Sequence, residues 1–108
     1  MSKVLDSIAK EQLIKNLTDN LPVLRAKLGI TQTELAETIG VSRQTIIAIE
    51  NGKRKMTWSM FIALTLLFLQ NEATSPLLPV VDIYTKELAA FLSFGSSSEN
   101  SEKGGNKT

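Results

Sequence analysis

The stretch QTELAETIGVSRQTIIAIEN, residues 32–51, reads as two short helices placed end to end. Thr31 stands three residues before Glu34, the arrangement in which the Thr oxygen accepts from the third helical amide and the Glu side chain returns to the cap amide. The helix that starts there runs through Leu35, Ala36 and Ile39 and stops at Gly40, a residue free to take the left-handed conformation of a sharp turn. Ser42 caps a second helix carrying Ile46 and Ile49 on one side, and Asn51-Gly52 ends it. Only about three residues join the two helices, which forces a steep crossing.

Upstream, a helix is expected over Leu21 to Leu28, capped by Thr18, Asp19 or Asn20, with Pro22 in its first turn and Gly29 ending it. Before it, Val4 to Leu17 has helix-forming composition. Its apolar residues fall on two faces, Val4, Leu5 and Ile8 on one and Leu13, Ile14 and Leu17 on another. Downstream, the basic loop Lys53-Arg54-Lys55 leads to Thr57, which caps Trp58 to Gln70, a helix apolar all round that needs cover on nearly every side. A last helix is expected between Pro76 and Ser93, starting at Pro76 or Pro79. Leu77, Val81, Tyr84, Leu88 and Phe91 recur along it as a heptad seam that points to dimerisation. After Phe94 the chain is almost entirely Gly, Ser, Asn, Lys and Glu, and residues 95–108 read as a disordered tail. No stretch alternates as a strand would.

Hydrophobic residues make up 43% of the 108 residues and charged ones 21%, enough apolar material to bury a core. With no Cys and no His, disulfides, thiolate nucleophiles, imidazole bases and the usual zinc ligands are all missing, so neither a catalytic site nor a metal nor any other cofactor is expected. The longest apolar run, Trp58 to Leu69, falls short of the roughly 20 residues that cross a bilayer. The first residues lack the pattern of a secretory signal, which makes a cytoplasmic location the expectation. The length leaves little room for a separate sensor domain. Net charge is only +1, but it is unevenly spread. Arg25, Lys27, Arg43, Lys53, Arg54 and Lys55 against Glu34, Glu37 and Glu50 leave +3 over residues 21–58, and −2 remains beyond them. That concentration suits a polyanionic partner.

Taken with Leu24-Arg25 before it and Gly52-Lys53 after it, the 32–51 stretch resembles the Cro and phage-repressor type of helix-turn-helix protein over roughly residues 21–69. Leu35, Ile39, Val41, Ile46 and Ile49 fall where that motif has core residues, Ala36 where its helices cross closely, and Gly40 at its turn. The resemblance implies that the second helix lies in the major groove of double-stranded DNA with its first turns against base edges. Arg43, Gln44, Thr45, Ile47 and Ala48 would then contact bases, Arg pairing with guanine, Gln with adenine and the apolar side chains with thymine methyls. Ile47 replaces a polar residue often found there in the family, and either touches a methyl or packs inward. Gln32, Ser42, Lys53, Arg54 and Lys55 would meet phosphates. Arg25 and Glu50 match positions that form an internal ion pair in the family.

These readings together predict an all-α chain, a compact bundle of five or six helices containing a repressor-like helix-turn-helix. It divides into an N-terminal helical extension (1–20), the helix-turn-helix domain (21–71), a C-terminal helix serving dimerisation (75–94) and the tail (95–108). The expected role is that of a homodimeric, operator-binding repressor that is not an enzyme. The rival role is an antitoxin-like or adaptor protein that holds a partner protein through its C-terminal helix or tail.

Overall fold

The computed structural model describes residues 5–94, and among them it has six helices and no strand. They are α1 (Ser7–Leu28), α2 (Gln32–Ile39), α3 (Arg43–Glu50), α4 (Trp58–Leu69), α5 (Leu77–Val80) and α6 (Lys86–Leu92). The expected tail, residues 95–108, and Val4 at the start of the first expected helix lie outside the described residues.

The two helices expected before Gly29 are one. Asp6 caps α1, its carboxylate accepting from the Ala9 amide at 2.8 Å, and the helix then runs for 22 residues with Pro22 in its interior. Thr18, Asp19 and Asn20 cap nothing; the Thr18 hydroxyl and the Asn20 amide instead donate to the carbonyls of Ile14 and Asn16, one turn back. The reason is the stripe Leu13, Ile14, Leu17, Leu21 and Leu24, all buried, which continues across the proline at helical spacing. An interior proline costs about 3 kcal/mol. Burying a leucine contributes about 1.5–3 kcal/mol, so the stripe outweighs the break.

α2 and α3 form as the caps dictate. Thr31 and Glu34 exchange both hydrogen bonds of the capping box, at 2.8 and 3.0 Å, and the chain leaves α2 through Gly40 at φ 82°. Leu35, Ala36, Ile46 and Ile49 are buried together with Leu24 of α1, and α4 closes the core with Phe61, Leu64 and Phe68. Trp58 stacks on Phe61 at 4.9 Å.

The last helix is not one helix but two. α5 spans four residues; the chain then turns through Asp82 at φ 58°, and Thr85 caps α6 by accepting from the Leu88 amide. Asp is among the few residues that enter the left-handed region at low cost. This turn breaks the heptad seam. Leu78 and Ile83, which lie off the seam, are fully buried, and so is Leu88, all within the same chain. Leu77, Val81, Tyr84 and Phe91 pack against this core as half-buried residues. Leu88 of the seam is thus absorbed inside the molecule, and its other four residues are partly covered by the same core. Phe91 meets the edge of Trp58 at 6.4 Å, and the Lys10 ammonium lies 5.2 Å and 5.4 Å from the two ring centroids. Asn16 of α1 fastens the turn by donating to the Asp82 carbonyl at 3.0 Å.

Candidate functional site

At 100° per residue, positions 43, 44, 47 and 48 of α3 share one side and positions 45, 46 and 49 the other. Ile46 and Ile49 are buried against α1 and α2, which turns Arg43 and Gln44 to solvent and leaves Ile47 and Ala48 half-buried at the edge of the same face. Thr45 does not join them. It is 8% exposed, on the side of Ile49, with its hydroxyl 2.9 Å from that of Ser42. The spacing of four between Thr45 and Ile49 carried that information in the sequence.

Ser42 caps α3, its oxygen accepting from the Thr45 amide at 3.1 Å. It is exposed, as are Lys53, Arg54 and Lys55 beyond the other end of the helix. The three basic residues do not stand alike. Lys55 forms an ion pair with Glu11 of α1, Arg54 donates to the Thr45 hydroxyl at 3.3 Å, and Lys53 is exposed. No local pattern pointed to Glu11, because its approach depends on α1 running unbroken past the loop.

Beneath this face lies a polar clamp. The Arg25 guanidinium grips Glu50 in a forked pair, Nε to Oε2 at 3.0 Å and Nη2 to Oε1 at 3.1 Å, and also donates to the Ile30 carbonyl at 3.3 Å. The Glu50 side chain is 7% exposed. The Gln32 amide donates to the same carboxylate at 2.8 Å, so Gln32, expected at a phosphate, is joined to the clamp with its carbonyl oxygen left over. The clamp ties α1, the start of α2 and the end of α3 together, and so fixes the angle at which α3 is presented.

The chemistry offered is that of recognition. Among the described residues no group of acidic side chains could hold a metal, and no helix is long and apolar enough to cross a membrane. What the surface does offer is a short helix with a planar cation and a carboxamide in its first turn, two apolar side chains one turn on, and donors at both ends.

Residues 24–64 match a family model described as helix-turn-helix. A protein of Methanothermobacter thermautotrophicus described as an uncharacterized HTH-type transcriptional regulator is 66% identical over 29 residues, 27% of this chain and 42% of that protein. Proteins of the same description from Methanocaldococcus jannaschii and Bacillus subtilis are 54% identical over 37 residues and 59% identical over 29. Those stretches cover 34% and 27% of this chain and 56% and 44% of the relatives, so the chain spans about half the length of the curated relatives it matches. No solved structure matches the chain.

Proposed function

We propose, from a chain whose residues 24–64 are a helix-turn-helix segment, that it is a DNA-binding transcriptional regulator that reads a specific duplex sequence through α3. The observation that carries this reading is the exposure of Arg43 and Gln44 in the first turn of α3, on the side opposite buried Ile46 and Ile49. An α-helix fits the major groove, where an arginine pairs with guanine O6 and N7 and a carboxamide with adenine N6 and N7. Arg43 and Gln44 take those roles, and Ile47 and Ala48, further along the same face, meet thymine methyls. Thr45, being buried, supports the head rather than reading bases. Ser42 and Lys53 contact phosphates at the two ends of α3, and Lys55 does so once it exchanges Glu11 for the DNA backbone.

One such helix brings only about three or four side chains to base edges, too few for a unique site, so two copies bind two half-sites roughly one helical turn apart. The contact between copies does not use Leu88, the heptad residue that is fully buried within the chain. An adaptor role for residues 75–94 would fall to the apolar side chains left exposed there, Val80, Leu92 and Phe94. Occupation of a promoter by the pair blocks transcription, which makes repression the expected outcome. Selection of bound fragments from random duplex DNA tests the whole reading. It should return an inverted repeat, with guanine or adenine prominent in each half. Enrichment of no sequence would overturn the proposal.

A further inference from the structure

Arg54 sits in a charged loop, yet it is fastened at both ends. Gly52, at φ 75°, turns the chain back on α3, and the Lys53 and Arg54 amides both donate to the Ala48 carbonyl, at 2.8 and 3.2 Å. From that anchored position the side chain runs back along the helix to Thr45, nine residues earlier, where Nη1 donates to the hydroxyl oxygen at 3.3 Å. The Thr45 oxygen is 2.9 Å from the Ser42 oxygen, which already accepts from the Thr45 amide.

The direction of this chain of hydrogen bonds follows from what each group can do. A guanidinium only donates, so Thr45 accepts from Arg54. The Thr45 hydroxyl is buried and needs an acceptor for its own hydrogen, and the Ser42 oxygen is within reach. Ser42 then accepts twice, and its hydrogen is left to point outward from the exposed first turn of α3.

We infer that Arg54 is a positioning residue, which acts through Thr45 to hold Ser42 as a donor to one phosphate oxygen and thereby sets the register of Arg43 and Gln44 over the bases. The inference rests on the DNA reading proposed above. It separates two neighbours of like charge: Lys53 contributes affinity to any duplex, while Arg54 contributes discrimination between duplexes.

The test uses the full chain and the variants Arg54→Lys, Thr45→Val, the two combined, and Lys53→Ala, on the selected duplex and a scrambled one over a range of salt. Arg54→Lys keeps the charge but lacks the planar fork. It should leave the salt slope unchanged and lower the matched-to-scrambled ratio roughly three- to tenfold, the worth of one hydrogen bond. Thr45→Val should do the same without touching any charge, and the combination should lose no more than either alone. Lys53→Ala should keep the ratio and reduce the slope of log affinity against log salt by about one. In the free protein, exchange of the Thr45 amide should quicken in both Arg54→Lys and Thr45→Val. Thr45→Val retaining the full ratio, or a double variant whose loss is the product of the single losses, would overturn the inference. Were Thr45→Val to melt early, Arg54→Lys, altered at an exposed side chain, carries the same comparison. If the wild-type chain discriminates no duplex at all, the DNA reading falls, and amide exchange alone decides: quickened exchange in both variants upholds the link from Arg54 to Ser42, and unchanged exchange rejects it.

Discussion

Two helical pairs in this molecule are built alike and behave differently. α2 and α3 are joined by a turn through a left-handed glycine, and α5 and α6 by a turn through a left-handed aspartate; Ser42 and Thr85 cap the second helix of each pair in the same way. In the first pair the local signals agree with the packing. The capping box, Gly40 and Ser42 mark its ends, and Leu35, Ile46 and Ile49 are all inside. In the second pair the strongest local signal, the heptad spacing from Leu77 to Phe91, disagrees with the packing, and the packing wins. Periodicity reports which residues seek burial. It does not report whether the helix that carries them is continuous.

The largest effect that sharpens this contrast is expected from Leu88→Lys. An ammonium placed at a fully buried site lacks any partner and costs about 3 kcal/mol or more unless α6 peels away. When α6 peels away, Trp58, the single tryptophan, loses the edge of Phe91, and its fluorescence should shift to the red at a temperature where the wild type is folded. A well-folded monomer released from a tight dimer, seen by sedimentation with unchanged fluorescence, would show that the seam joins two molecules after all.

A smaller effect, decisive through its sign, is expected at Pro22. If the proline opened a separate helix, replacing it would be neutral or harmful. Since it lies inside α1, Pro22→Ala restores an amide donor and removes a clash, and should stabilise the chain by about 1 to 2 kcal/mol after the loosened unfolded state is counted. Chemical denaturation measures this directly, and a loss of stability would contradict the single-helix description.

How much of the molecule was legible beforehand follows the same division. The cap residues Thr31, Ser42 and Thr57, the turn at Gly40 and the Arg25–Glu50 pair were readable, the caps because their partners lie within a few residues in sequence and the pair through the family resemblance. The continuity of α1 was hidden, because a proline next to three cap-forming residues looks like a boundary until the stripe from Leu13 to Leu24 is seen to bury as one. The inward turn of Thr45 runs against the base-contacting role that the resemblance implies for it, because its spacing from Ile49 puts it on the buried side of α3. The pairing of Lys55 with Glu11 and of Arg54 with Thr45 depends on how separate segments meet, which no local pattern encodes.

The central claim is that α3 reads bases while the loop after it grips backbone, and Arg43→Ala beside Lys53→Ala on matched and scrambled duplexes tests it most directly. Arg43→Ala should cost about 1 to 3 kcal/mol on the selected site, flatten the preference at one base pair, and change binding to scrambled DNA far less. Lys53→Ala should weaken both duplexes alike and lower the salt dependence. Equal losses on the two duplexes for Arg43→Ala would contradict base reading by α3, and no loss for either variant would contradict DNA recognition by this face altogether.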